Sequence, residues 1–250
     1  MVKEIELIPK QLDAFRLWQD SATEVLVYGG AAGGGKTWLS CTCALVDCLA
    51  YPGIRYFVAR EELKRIYESW LVTFFKLCKS LRLQHTYKYS YEKDKITFKN
   101  GSEIIMMECK NKPGDDLFQR FGSIEFTRGI IEEAGEVHYD AYEGLMSRTG
   151  RHLNDMLKGK IMITCNPQQN WLYEMFWKPF TKGTLAEGHA FIQSFVTDNH
   201  LIPARYVANL EKMKNETQKK RLRYGIWEYA GSYDQLIEFS WIDACFSVSC

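Results

Sequence analysis

The chain has 250 residues, of which 46% are hydrophobic and 25% are charged. This length suits one α/β domain with a short extension, and such a domain buries enough surface to need no disulfide or metal. No apolar run reaches the roughly 18 residues of a membrane-spanning helix, and charges stand where a signal peptide is apolar. We therefore expect no membrane association and a reducing cytoplasm. With a net charge of +1, any nucleic-acid contact must come from a local basic patch.

Apolar runs and turn signals predict strands that alternate with helices. Strands are predicted at residues 24–28, 54–59, 126–132, 160–165 and 190–195. Helices are predicted at residues 10–20, 36–50, 62–81, 139–148, 203–213 and 215–229. Within residues 86–108, Asn100-Gly101 separates two alternating segments, which is typical of a hairpin. The order predicts an α/β fold with a mostly parallel sheet, helices on both faces and an antiparallel hairpin at one edge.

The clearest motif is a glycine-rich loop between the first strand and the second helix. Residues 29–37 read GGAAGGGKT, and Gly30, Gly35, Lys36 and Thr37 fit the pattern GxxxxGK followed by Ser or Thr. Glycine lets backbone N–H groups approach phosphate oxygens, and the following helix directs its N-terminus at the same anion. Lys36 would contact the β- and γ-phosphates of ATP, and the hydroxyl of Thr37 would ligate Mg²⁺.

The residues between the fixed positions of this motif are Ala31, Ala32, Gly33 and Gly34, and they complete the predicted nucleotide-binding loop. The alternative is a glycine-rich turn that binds nothing. A strand before the motif and a helix after it favour the phosphate-binding interpretation, because the motif requires both.

Two carboxylates follow the strand at residues 126–132, at the strand end where open α/β sheets bind ligands. We expect Glu132 to hold Mg²⁺ and Glu133 to orient the water that attacks the γ-phosphate, since phosphoryl transfer needs mainly positioning and charge stabilisation. The alternative is that the pair opens a helix, where acidic residues favour the dipole. The phosphate loop upstream favours the catalytic interpretation.

A polar residue also follows the buried strand at residues 160–165. Asn166 stands there in the segment Thr-Cys-Asn-Pro, where its amide would contact the γ-phosphate or the attacking water. The alternative is a simple turn, because Asn-Pro favours one.

Six segments together resemble the ATPase domain of the large terminase subunit of tailed bacteriophages, the motor that pumps DNA into procapsids. They are Pro9-Lys10-Gln11, YGGAAGGGKT at 28–37, FVAR at 57–60, RGIIEEAGEV at 128–137, TCNP at 164–167 and GIWEYAG at 225–231. The resemblance implies a P-loop NTPase fold of the ASCE, RecA-like kind that hydrolyses ATP with Mg²⁺ to translocate double-stranded DNA. It divides the chain into a motor domain at residues 1–230 and the start of a linker toward a missing nuclease domain at residues 231–250.

The resemblance also implies roles and partners. Gln11 would read the adenine, although a solvated helix start is the alternative. Arg60 matches the arginine that commonly ends the second strand, and Asn166 falls in the segment that couples hydrolysis to motion. The implied partners are double-stranded DNA, the portal protein of the procapsid, the small terminase subunit and further copies of the chain in a ring. The implied location is the portal vertex, in the cytoplasm of the infected bacterial host.

The chain departs from this family's pattern in its charged residues. Glu132 and Glu133 replace the more usual Asp-Glu, and the phosphate loop lacks the arginine that some relatives carry. We therefore expect a catalytic arginine from a neighbouring subunit. Arg120 is the first candidate, followed by Arg128 and Arg148. For each of them the alternative is a surface or structural arginine.

Two basic clusters are candidates for DNA contact, since translocation needs sequence-independent phosphate contacts. They comprise Lys212, Lys214, Lys219, Lys220, Arg221 and Arg223 in one stretch, and Lys76, Lys79 and Arg82 in the other. The alternative is a pair of solvated helix faces. Two further functions stay open: a helicase-like or DNA-repair ATPase, which would need a second lobe, and a nucleotide-binding module that does not hydrolyse. Intact Lys36, Thr37 and Glu133 argue against the latter.

Overall fold

The computed structural model describes residues 4–115 and 117–229. Its strands are β1 (Val25–Gly30), β2 (Arg55–Arg60), β3 (Tyr87–Ser90), β4 (Lys95–Phe98), β5 (Glu103–Glu108), β6 (Arg128–Ile131), β7 (Lys160–Cys165) and β8 (His189–Ser194). They form one sheet in the order β3-β4-β5-β2-β6-β7-β1-β8. The six strands from β5 to β8 in this order run parallel, and β3 and β4 are antiparallel at one edge. The predicted sheet and its edge hairpin are confirmed.

The helices are α1 (Pro9–Gln19), α2 (Lys36–Ala50), α3 (Leu63–Arg65), α4 (Leu71–Ser80), α5 (Tyr139–Met146), α6 (Lys178–Lys182), α7 (Ala204–Glu211) and α8 (Glu216–Tyr224). A π-helical turn at Ile66–Trp70 joins α3 to α4, and another at Tyr173–Trp177 precedes α6. Within the described ranges, no helix combines the length and apolar character needed to cross a bilayer.

The sheet is covered on both faces, as its all-buried central strands β1 and β7 require. Alternate residues of β1 enter different cores, because successive side chains of a strand point to opposite faces. Leu26 and Tyr28 join a core with residues of α1, α2 and α4. Val25 and Val27 join a second core with residues of α5 and the aromatic residues Phe176 and Trp227.

A buried polar network ties α1, α2, β2 and β6 together around Asp47, which has no exposed surface. Its carboxylate accepts hydrogen bonds from Trp18 Nε1 at 2.8 Å and from the hydroxyl of Tyr56. Arg128 pairs with it at 2.8 Å and also lies over the ring of Trp18. With 1% of its surface exposed, Arg128 is therefore paired inside its own chain, which agrees with the alternative of a structural arginine and argues against a role in a neighbouring site.

One helix ends earlier than predicted, and one helical segment was not predicted, each for a local reason. The helix predicted to reach residue 229 ends at Tyr224, because Gly225 adopts the left-handed conformation with a φ of 65° and stops it. The helical segment from Tyr173 to Lys182 was not predicted. Phe176, Trp177 and Phe180 in this segment make ring contacts. Pro179 stands in the first turn of α6, where a missing N–H is tolerated. The predicted linker at residues 231–250 lies outside the described residues.

Candidate active site

The glycine-rich loop joins β1 to α2 and adopts dihedrals that favour glycine. Gly30, Gly33 and Gly35 have φ angles of 140°, 82° and 77°. A Cβ atom on Gly30 would lie 2.0 Å from the carbonyl oxygen of Ser194, and one on Gly35 would lie 2.4 Å from Nε2 of Gln11. The backbone of the loop is thus packed against its surroundings so closely that side chains are excluded at both ends.

Neighbouring elements hold the loop from outside. The N–H of Ala31 donates to the carbonyl of Ser194 at the end of β8, at 2.9 Å, and the N–H of Ala32 donates to the carbonyl of Leu222 in α8, at 2.8 Å. The side chain of Asn199 donates to the carbonyl of Gly33 at 2.8 Å. These bonds fix the loop before any ligand is considered, which lowers the entropic cost of binding.

Lys36, Asn166 and Glu133 form one chain of hydrogen bonds across the carboxyl ends of the central strands. Lys36 Nζ donates to Asn166 Oδ1 at 2.9 Å and to the carbonyl of Ala31 at 2.9 Å. Asn166 Nδ2 donates to Glu133 Oε2 at 2.9 Å. An ammonium only donates and a carboxylate only accepts, so the two ends of the asparagine amide are fixed in this orientation. The residues predicted from three separate motifs therefore meet in one place.

The backbone of Glu133 is unusual. It adopts the left-handed conformation, with φ and ψ both 48°, which is rare outside glycine, asparagine and aspartate. Its N–H donates to the hydroxyl of Thr164 at 3.3 Å, at the end of β7. A short 3₁₀ turn at Ala134–Glu136 follows, so the acidic pair does not open an α-helix. This conformation directs the carboxylate toward Asn166 and the loop.

Glu132 is almost fully buried, with 2% of its surface exposed. Thr37 Oγ1 lies 3.3 Å from its Oε2, and the hydroxyl of Ser40 donates to its Oε1. Burial raises the pKa of Glu132 to about 7, and the charge of Glu133 acts in the same direction, while the Ser40 hydrogen bond, Arg60 and Lys36 oppose the rise. The structure thus brings both predicted metal ligands, Thr37 and Glu132, together.

The donor set of Thr37 and Glu132 fits Mg²⁺. Both side chains offer oxygen, and a magnesium ion at a nucleotide site commonly takes one or two carboxylates, with substrate phosphates and water completing its shell. In the part of the chain that the structure describes, no group of three His, Cys, Asp or Glu side chains is placed to bind a metal ion. A magnesium ion at this site would therefore need ligands from the nucleotide and water as well as from the protein.

A cavity of about 620 Å³ opens above the loop. The loop, Thr37, Glu133 and Asn166 line it on the side of the sheet, and Trp38 and Thr73 also contribute. A further wall was not predicted from the sequence; it consists of Asn199, Ile202, Pro203 and Tyr206, from the segment after β8. Its position depends on β8 lying next to β1. The sequence feature that could have indicated this wall is Asn199, a polar residue a few positions beyond the strand predicted at residues 190–195.

Comparison with known proteins gives a decisive match. A family model described as the phage terminase large subunit matches residues 22–230. The chain belongs to the phage terminase large subunit family. The resemblance predicted from the six segments is thereby confirmed. No curated protein matches the chain in sequence.

Solved terminases share the fold of this family member. The large terminase of a thermophilic bacteriophage, solved in complex with ADP, has a TM-score of 0.70 and 15% identity over 90% of this chain and 54% of that chain. The large terminase of bacteriophage HK97 has a TM-score of 0.66 and 13% identity over 97% and 55%. The ATPase domain of the Thermus phage P74-26 large terminase has a TM-score of 0.63 and 11% identity over 90% and 94%. These likenesses confirm the predicted P-loop NTPase fold, and the chain spans about half the length of the first two relatives.

In this terminase chain, Gln11 contacts the phosphate loop directly. Its Oε1 accepts the N–H of Ile8 at 3.0 Å, and its Nε2 donates to the carbonyl of Gly35 at 2.8 Å. Only 3% of the residue is exposed, and it is not among the residues that line the cavity. The observed contacts make Gln11 a link between α1 and the loop, and its reading of adenine stays a prediction.

The arginines considered for transition-state stabilisation lie outside the cavity of their own chain. Arg120 pairs with Asp115, donates to the carbonyl of Lys110 at 2.7 Å and lies over the rings of Phe118 and Phe121 at 4.8 and 4.9 Å. Arg148 is half-buried near the same loop.

Arg60, at the end of β2, pairs with Glu136 at 3.2 Å and contributes charge that favours ionised Glu132. It thus acts on Glu132 from the second strand.

Proposed function

We propose that residues 1–230 form an ATPase motor domain that hydrolyses ATP in the cavity above the phosphate loop, as part of a terminase that translocates double-stranded DNA into a procapsid. The observation that carries the proposal is the hydrogen-bond chain from Lys36 through Asn166 to Glu133. It joins the residue that contacts phosphate to the residue that orients water, so that both respond to the same γ-phosphate.

The residues divide the chemistry of phosphoryl transfer among them. The N–H groups of Ala31 and Ala32 already donate to Ser194 and Leu222, so Gly33 to Gly35 offer the backbone N–H groups for phosphate, and Lys36 offers a full charge to the phosphate oxygens. Thr37 and Glu132 would hold Mg²⁺, which when bound offsets negative charge on the phosphates. Glu133 accepts a hydrogen bond from the attacking water and takes its proton. Asn166 senses whether the γ-phosphate is present, because it lies between Lys36 and Glu133.

Negative charge develops on the phosphate oxygens during phosphoryl transfer, and a positive side chain near them would stabilise it. Among the described residues that line the cavity, Lys36 alone carries a positive charge. We therefore keep the proposal that an arginine of a neighbouring copy in a ring completes the site, with Arg120 first and Arg148 second. ATP turnover per chain should then rise with protein concentration. A turnover that stays constant on dilution would argue against a shared site.

The partners proposed for the whole protein are double-stranded DNA, the portal protein and the small terminase subunit, at the procapsid portal vertex in the host cytoplasm. In the C-terminal basic cluster, Lys212, Lys214 and Lys220 are exposed and suit phosphate contact. Arg223 instead pairs with Glu211 at 2.6 Å, and Arg221 donates to the carbonyl of Pro167 at 2.6 Å. Replacing the three exposed lysines should weaken DNA binding and flatten its salt dependence.

The proposal is tested by comparing the wild-type chain with Lys36→Ala. We expect wild type to bind ADP in a titration calorimeter and to release phosphate from ATP, and the variant to lose at least about 100-fold in affinity or turnover, because the main charge on the phosphates is gone. Lys64→Ala serves as the control, since its side chain is 79% exposed on a helix surface. Equal nucleotide binding and equal phosphate release by wild type and Lys36→Ala would overturn the proposed site.

A further inference from the structure

Three fully or almost fully buried side chains form a second hydrogen-bonded row behind the active site. Trp70 Nε1 lies 3.2 Å from Ser40 Oγ, and Ser40 Oγ contacts Oε1 of Glu132. Trp70 and Ser40 have no exposed surface. Neither residue lines the cavity, so neither belongs to the set that would touch nucleotide.

The direction of the row follows from the chemistry of its members. An indole N–H only donates, so Ser40 Oγ accepts from Trp70. The hydroxyl then has a single proton to give. It has two acceptors within reach, the carboxylate of Glu132 and the carbonyl of Thr37 at 3.1 Å. The carboxylate is the stronger acceptor and forms the shorter contact, so the proton of Ser40 points to Glu132.

A π-helical turn puts Trp70 in place. The turn at Ile66–Trp70 adds one residue to the otherwise α-helical stretch between α3 and α4. One additional residue rotates the direction of side chains by about 100° relative to an uninterrupted helix. Phe74 stacks on the indole with ring centroids 5.0 Å apart, and Cys41 Sγ contacts the carbonyl of Trp70 at 3.5 Å. The indole is therefore held against α2 in one orientation.

The two carboxylate oxygens of Glu132 thus have different partners. Ser40 holds Oε1, one turn further along α2 than Thr37, whose hydroxyl lies beside Oε2. A carboxylate fixed at one oxygen presents the other in a defined direction, and groups that orient a metal ligand in this way commonly matter almost as much as the ligand itself.

We propose that Ser40 and Trp70 are positioning residues for the carboxylate that would bind Mg²⁺. Trp70 orients the Ser40 hydroxyl, and Ser40 holds Oε1 of Glu132 so that Oε2 stays beside the Thr37 hydroxyl. The inference rests on the proposed function, because it needs a nucleotide-bound Mg²⁺ at this site. It adds a structural role for the π-helical turn, which no motif of the sequence indicated.

The test measures how Mg²⁺ strengthens ADP binding, which requires no catalytic turnover. ADP affinity is measured by calorimetry at about pH 8, first in EDTA and then at Mg²⁺ concentrations up to roughly 10 mM, so that the binding of the nucleotide-bound divalent ion is followed. For Ser40→Ala we expect the midpoint in Mg²⁺ to rise about tenfold, with ADP affinity in EDTA unchanged. Thr42→Val is the matched control, because Thr42 is equally buried on α2 and its hydroxyl donates to the carbonyl of Trp38, at 2.8 Å, and not to Glu132.

A second pair of variants separates positioning from packing. Ser40→Cys keeps the size of the side chain but donates weakly, so it should shift the midpoint in the same direction as Ser40→Ala. Trp70→Phe should also raise the midpoint, and the double variant Ser40→Ala with Trp70→Phe should be no worse than Ser40→Ala, since Trp70 acts through Ser40.

The outcomes distinguish the two proposals. A wild-type midpoint retained in Ser40→Ala and Ser40→Cys would overturn the positioning role while leaving the proposed function intact. Additive shifts in the double variant would overturn the row from Trp70 to Ser40. Wild-type protein that binds no ADP at any Mg²⁺ concentration would overturn the proposed function itself, and the inference with it.

Discussion

Single side chains at the ends of parallel strands account for the arrangement of the proposed active site. Glu132, Glu133 and Asn166 were predictable because carboxyl ends of parallel strands meet at one edge of a sheet, whatever the loops between them do. What was not predictable is how they pair. The left-handed backbone of Glu133 and the bridging amide of Asn166 depend on β6 and β7 being neighbours, and strand order is not written in any one motif.

Replacing Asn166 tests this pairing at the scale of one residue. Asn166→Leu keeps the shape of the side chain but removes its bonds to Lys36 and Glu133. We expect kcat for ATP hydrolysis to fall about 10- to 100-fold, while ADP affinity changes less than about threefold, because the loop keeps its own backbone contacts. Steady-state kinetics and calorimetry measure the two quantities. Asn154→Leu, at an exposed loop position, is the control.

The opposite result would be a large loss of ADP affinity with unchanged kcat. Asn166 would then serve to hold Lys36 for binding, and the link between phosphate and water would have to run through another residue.

At the scale of elements, the sequence predicts most strands and helices because their apolar runs are continuous or periodic. The exceptions have a common physical reason. The π-helical turns at Ile66–Trp70 and Tyr173–Trp177 and the cavity wall at Asn199–Tyr206 are set by packing against other elements. Arg128 shows the same limit, since only the fold reveals that a charged residue beside a strand is paired inside the protein.

The Asp47 network makes a prediction about stability. Asp47→Asn leaves the buried guanidinium of Arg128 without its counter-charge, and breaking a buried pair in this way typically costs about 3–5 kcal/mol. Urea unfolding followed by circular dichroism measures the change in the free energy of unfolding. Asp13→Asn is the control: it breaks a pair with Arg16 whose side chains are 57% and 68% exposed, and it should cost less than about 0.5 kcal/mol.

A loss for Asp47→Asn no larger than that of the control would mean that the network contributes little to holding α1, α2, β2 and β6 together. The apolar core on that face would then have to account for their arrangement alone.

At the scale of the whole molecule, the phosphate loop, the acidic pair and the bridging asparagine all lie at the carboxyl ends of strands of one sheet. Helix α8 contacts the same loop through the carbonyl of Leu222. The fold and the family were predictable because the six segments occur in order along the chain. The arginine proposed to act between subunits could not be predicted in this way; Arg120 pairs with Asp115 and donates to the carbonyl groups of Glu108 and Lys110.

The most direct measurement of the central claim is phosphate release by Glu133→Gln beside wild type, with ATP binding measured on the same samples. If Glu133 orients the attacking water, the variant should bind ATP as wild type does and release phosphate at least about 100-fold more slowly. Glu125→Gln, which breaks a pair with Arg151 whose side chains are 48% and 50% exposed, should keep hydrolysis within about threefold, because surface pairs contribute little. Phosphate release by Glu133→Gln at the wild-type rate would contradict the account.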